Sequence, residues 1–117
     1  MAKYKELAVY RRSYEMVMSM YRYTKELPQE ERYELASQIR RASYSIPTNI
    51  AEGYSKEDSG NETKRFLRMA EGSCGELEVL LSICKDVGYM EERHYKVYEK
   101  ELDEISRMLY KLIESIK

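Results

Sequence analysis

The sequence predicts an all-α protein, an antiparallel up-down four-helix bundle formed by a single domain over residues 1–117. Three observations lead there. Apolar residues recur at three- and four-residue steps in four separate segments, which is the spacing of one helix face. Only 2 prolines and 5 glycines occur in 117 residues, too few for a turn-rich β fold. The breaks between segments are short, and short connections make neighbouring helices antiparallel.

Leu7, Tyr10, Tyr14, Val17 and Tyr21 mark the first helix and its expected core face, ended at Leu27-Pro28 because the residue before proline disfavours helix. The second stripe is Leu35, Ile39, Ala42, Ile46 and Ile50. It passes through Pro47, where a lost backbone hydrogen bond costs about 3 kcal/mol and predicts a kink. It stops in the polar run Ser55 to Gly60. Phe66, Ala70, Ser73, Leu77, Leu80, Leu81 and Cys84 mark the third helix, with Gly88 placed to cap its C-terminus. Tyr98, Leu102, Ile105, Leu109, Leu112 and Ile116 mark the fourth.

Helix 1 carries a second apolar stripe, Val9, Met16, Met20 and Tyr23. A helix apolar on two sides must be buried on two sides, so this stripe is the expected oligomer interface. Helix 3 shows a weaker version in Met69, Gly72, Val79 and Ile83. Gly72 and Gly75 each cost roughly 1 kcal/mol in a helix interior, which predicts close approach of a neighbouring helix.

Composition narrows the class. No apolar run approaches the roughly 20 residues needed to span a bilayer, and the N-terminus lacks the apolar stretch of a signal peptide. The expectation is a cytoplasmic protein with no membrane partner. Cys74 and Cys84 are ten residues apart on one helix, about 15 Å along its axis, too far for a disulfide. They read as buried core thiols. Net charge is −1, but residues 1–47 hold 9 Lys/Arg against 6 Asp/Glu while residues 48–117 hold 11 against 15. A local basic face on the first half is therefore compatible with an acidic total.

Catalytic chemistry finds little support. A di-iron bundle needs two Glu-x-x-His motifs, and His94, in Glu91-Glu92-Arg93-His94, is the only histidine. Serine or cysteine nucleophiles would depend on that same histidine, and phosphate-binding glycine loops are absent. Glu52, Glu71 and Glu76 are the candidate carboxylates for pairing inside the bundle. The expectation is no enzyme, no catalytic residue, no metal and no cofactor. Around the proline, Arg41, Asn49, Glu52 and Glu76 form an expected polar network joining helices 2 and 3, because buried polar groups need partners. Cations for nucleic acid are Arg11, Arg12, Arg22 and Lys25 on helix 1, Arg40 and Arg41 on helix 2, and Lys64, Arg65 and Arg68 on helix 3. The 12 tyrosines can stack on bases, yet many fall on the expected core stripes.

Three motifs together, Gln38-Ile39-Arg40-Arg41-Ala42, Ser45-Ile46-Pro47-x-Asn49-Ile50-Ala51-Glu52-Gly53 and Phe66-Leu67-x-x-Ala70-x-Gly72-Ser73-x-x-Glu76-Leu77, resemble the four-helix-bundle proteins of the 23S rRNA intervening-sequence family. Leu27-Pro28-x-x-Glu31 and Val87-Gly88-Tyr89 extend the match over nearly the whole chain. The resemblance implies a bacterial source, a homopentameric barrel-like ring and no enzymatic activity. A similar protein is the accessory factor of diversity-generating retroelements, a basic pentamer that binds nucleic acid and the reverse transcriptase. The expectation is thus a self-assembling protein that binds RNA or DNA, foremost structured RNA, through Arg11, Arg12, Arg40, Arg41, Lys64, Arg65 and Arg68. The competing expectation is a scaffold for a reverse transcriptase or other protein, without nucleic acid.

Overall fold

The computed structural model describes residues 3–56 and 58–117. After a 3-10 turn at Lys3–Glu6, helix α1 spans Ala8–Thr24, α2 Leu35–Tyr54, α3 Gly60–Asp86 and α4 Glu92–Ser115. A second 3-10 turn, Gln29–Glu31, follows Pro28 in the first connection. Among the described residues there is no strand. In chain order the helices pack α1 on α2, α2 on α3 and α3 on α4, and the bundle closes through a sparser α1–α4 seam. Helices α1 and α3 therefore stand at opposite corners.

Local chemistry sets the ends. The Ser59 hydroxyl accepts the Glu62 N–H at 3.3 Å and caps the start of α3. Gly88 follows α3 with φ +92°, the left-handed conformation glycine adopts without strain. The α-helix of residues 35–54 continues through Pro47. Just past the Ser43 carbonyl, which Pro47 leaves without an N–H, Thr48 Oγ1 donates to Tyr44 O at 2.9 Å and Asn49 Nδ2 to Ser45 O at 2.8 Å.

The core is one cluster. Ile39, Ile46 and Ile50 of α2 meet Leu67, Leu77 and Leu81 of α3 and Ile105 and Leu109 of α4. On α1 the two stripes exchange the roles expected of them. Val9, Met16, Met20 and Tyr23 are buried in the core, with Met20 at 0% exposure, so they are not available as an oligomer interface. Tyr10, Val17 and Tyr21 are half-buried and Tyr14 is 52% exposed. The reason is polar. A tyrosine hydroxyl without an internal partner is cheaper at a half-wet boundary, and methionine brings no polar atom that needs a partner. Tyr23 can be enclosed because its hydroxyl donates to Tyr89 O at 2.8 Å.

The expected face of α3 is buried at Ala70, Leu77, Leu80, Leu81 and Cys84. Helix α3 departs from expectation only at Phe66 and Ser73, which lie at the boundary while their neighbours Leu67 and Cys74 are buried. Its weaker stripe, Met69, Gly72, Val79 and Ile83, is exposed. No atom of a neighbouring helix lies within 4 Å of a Cβ placed on Gly72 or Gly75, so the approach expected there is not made within the chain. It occurs at Gly53, where a Cβ would meet Thr63 O and Phe66 Cβ at 3.2 Å.

Arg12 holds the α1–α4 seam. Its guanidinium donates to Glu101 at 2.8 and 3.0 Å and to Glu104, while Nη1 lies 3.5 Å from Met108 Sδ. This contact keeps the Glu104 carboxyl below its ordinary 4.5.

Met20→Ala should lower the free energy of unfolding by about 2–5 kcal/mol in urea titration. Met18→Ala, on the opposite side of α1, should change it by less than about 0.5 kcal/mol. Equal effects would reverse the assignment of faces. Because the folded Glu104 value is depressed, its contribution is present above pH 4.5 and lost as pH falls through that lowered value. Arg12→Met should therefore flatten the acid limb of a stability-against-pH curve relative to wild type.

Candidate functional site

Three surfaces gather the polar and aromatic residues that the core leaves out. The first is an open groove of about 500 Å³ between α2 and α3, lined by Arg41, Ala42, Ser45 and Asn49 on one side and Met69, Gly72, Ser73 and Glu76 on the other. It brings together three of the four members expected of the polar network, but no hydrogen bond joins them. Asn49 spends its amide on its own helix, and Glu52 turns away to Lys56 at 3.8 Å. The link between helices is instead a hydroxyl pair, Ser45 and Ser73, 2.5 Å apart. Each also reaches a carbonyl one turn back, Ala42 O at 2.9 Å and Met69 O at 3.1 Å. Neither Arg41 nor Glu76 has an ion-pair partner among the described residues.

The second surface is the outer side of α1 with its α2 neighbour. Tyr14, Met18 and Tyr44 are exposed there, and the Tyr4, Tyr10 and Tyr14 rings follow one another at centroid distances of 5.0 and 6.1 Å. Arg40 does not project from this face. Its Nε donates to Thr24 Oγ1 at 2.8 Å and its guanidinium lies 4.7 Å over the Tyr21 ring.

The third surface is the outer α3–α4 edge. A cavity of about 330 Å³ is lined by Glu71, Asp103, Ser106, Arg107, Tyr110 and Lys111. Gly60 packs against Ile116, and Cys74 shares a cavity with Leu102. That antiparallel register places Lys64 and Arg68 level with the last turns of α4. Tyr110, 59% exposed, lines the cavity with Arg107 and Lys111. Burial raises the Glu71 carboxyl, an effect partly offset by Arg68.

The cations expected to contact nucleic acid thus divide. Arg12, Arg40 and Arg65 are committed within the chain, Arg65 to Glu62 at 2.8 Å and over the Phe66 ring. Arg11 donates to the Glu6 carbonyl at 2.8 Å and remains exposed. Arg41, Lys64 and Arg68 have no ion pair among the described residues. Sequence reasoning missed Lys111 and Tyr110, because a spacing pattern cannot show that the end of α4 returns beside the start of α3. It missed Ser45 as the partner of Ser73 for the same reason.

Glu52, Glu71 and Glu76 do not pair; they lie on three different faces. His94 is exposed, 3.8 Å from Glu91. Among the described residues no group of three His, Cys, Asp or Glu is placed to hold a metal, and no helix is long and apolar enough to cross a membrane.

The family model described as 23S rRNA-intervening sequence protein matches residues 5–111. A crystal structure from Bacteroides thetaiotaomicron, described as a protein of unknown function from the S23 ribosomal protein family, superposes with a TM-score of 0.83 at 24% identity. The match covers 92% of this chain and 100% of that one. At that identity it shows a shared fold. No curated protein matches the sequence.

Cys74 and Cys84 are both buried and unpaired. Burial pushes the Cys74 thiol up to about 12, and Cys84 is raised by the same cause. Such thiols are poor nucleophiles. A thiol-reactive dye at pH 8 should label neither residue in the folded protein and both in denaturant; rapid labelling of folded protein would contradict this assignment.

Proposed function

The chain belongs to the 23S rRNA-intervening sequence protein family, and from that membership and the surface geometry we propose that it is a non-enzymatic, self-assembling bundle that binds structured RNA. The observation that carries the RNA reading is the α3–α4 edge. Lys64, Arg68 and Lys111 have no ion pair among the described residues, and Tyr110 is exposed next to Lys111. Unpaired cations release counterions when they meet phosphate, and an exposed aromatic ring offers a stacking face to an unpaired base. Arg12 and Arg40 drop out as contacts because moving them would break bonds between helices, and Arg65 is paired with Glu62 on its own helix.

Self-assembly rests on exposed apolar side chains on two opposite corners. Tyr14 and Met18 face outward from α1, and Met69, Val79 and Ile83 face outward from α3. Unlike faces on opposite sides favour head-to-tail contact, which closes into a ring when the rotation permits. A homopentamer is the closed form implied by the family resemblance. The same exposed faces support a second reading, a ring that docks another protein such as a reverse transcriptase without nucleic acid.

RNA titration separates the two. With a structured RNA hairpin at low salt, binding should weaken as salt rises, with a log–log slope approaching one per phosphate contact. Lys64→Glu with Arg68→Glu should weaken binding at least about tenfold and reduce that slope by about two. Absence of binding at low salt, or a double variant that binds like wild type, would overturn the RNA reading and leave the scaffold reading.

A further inference from the structure

We propose that the α2–α3 groove receives α1 of a second copy, with Glu15 of one copy seated on Arg41 of the next and Arg11 beside Glu76. The proposal rests on the self-assembly reading and assigns its contact surface. It also gives the residues around Pro47 a task that neither the core nor the RNA edge supplies.

The first argument is charge. Arg41 and Glu76 line the same groove, and neither has an ion-pair partner among the described residues. On the outer side of α1, Arg11 and Glu15 are one turn apart and exposed. Among the described residues Glu15 has no cation within ion-pair distance, and Arg11 meets only a backbone carbonyl. A carboxylate and a guanidinium left over on one surface face a guanidinium and a carboxylate left over on the other. Complementary pairs of this kind fix the register of an interface and exclude wrong partners.

The second argument is shape. The groove wall on α3 includes Gly72, which has no atom of a neighbouring helix within 4 Å of its Cβ position, whereas Gly75 lines the cavity on the α4 side. A glycine in a helix interior weakens that helix, and within the chain nothing approaches Gly72 to use the space. Tyr14 and Met18 on the α1 of another copy are side chains of the size such a notch admits, flanked by Met69, Val79 and Ile83.

The third argument is coverage. Because α1 and α3 occupy opposite corners, pairing α1 with another α1 leaves the α3 face and the Arg41–Glu76 groove in water. Pairing α1 with the groove covers both faces in one repeated contact.

The test is a charge exchange on the full chain, read by sedimentation velocity, with circular dichroism to confirm folding. Glu15→Arg and Arg41→Glu should each weaken self-association about tenfold or more. The double variant, which restores the pair in reversed sense, should associate within about threefold of wild type. An Arg41→Glu protein that assembles normally, or a double variant no better than either single one, overturns the groove as receptor while leaving self-assembly standing. A wild-type chain monomeric at tens of micromolar overturns this proposal together with the reading it rests on. Loss of assembly in Glu15→Arg while Arg41→Glu assembles like wild type points to α1–α1 pairing and also overturns it.

Discussion

The close contact between α2 and α3 is the constraint on which the rest of the molecule depends. Small groups make it possible: a Cβ on Gly53 would lie 3.2 Å from Thr63 O and Phe66 Cβ. The Thr63 hydroxyl donates to Gly53 O at 3.0 Å and lies near the Lys56 and Ser59 carbonyls, tying the end of one helix to the start of the next. Two turns further along, the Ser45–Ser73 hydroxyl pair fixes the same register. With both points set, Ile46 and Ile50 fall opposite the leucines of α3 and the apolar interior closes around them.

That register also decides what remains outside. It sets Arg41, Asn49 and Glu76 along one open groove instead of inside a hydrogen-bonded network. It turns Met69, Val79 and Ile83 outward and places Arg68 near Glu71, which lines the cavity at the other edge of α3. The α3 helix thus presents two different outer surfaces, one notched by glycine beside α2 and one cationic beside α4. Under the proposed function, separate surfaces would let assembly and nucleic-acid contact proceed together, because residues covered by a neighbouring copy are not those offered to phosphate.

The four helices were legible in the sequence because each carries a three- and four-residue apolar repeat, and Gly88 marked the end of α3 correctly. The faces of α1 were not. Val9-Met16-Met20-Tyr23 and Tyr10-Tyr14-Val17-Tyr21 are both apolar by residue type, and periodicity gives a face without saying which one is inside. Hydroxyl chemistry decides it, with Met20 fully enclosed and Tyr14 half in water. The polar site was partly legible: Arg41, Asn49 and Glu76 do share a surface. Glu52 does not, since the charged i+4 neighbour Lys56 holds it on its own helix. Contacts between residues distant in sequence, such as Arg12 with Glu101 and Glu104, have no local pattern from which to infer them.

The account's central claim is that the exposed apolar corners of α1 and α3 are covered by further copies of the chain. Peroxide oxidation of individual methionines, followed by mass spectrometry over a range of protein concentrations, tests it directly. Met18 and Met69 are exposed in the single chain, and Met20 is enclosed and serves as the internal standard. The account predicts that Met18 and Met69 oxidise rapidly in dilute solution and slow toward the Met20 rate as concentration rises. Rapid oxidation of both at every concentration would contradict it.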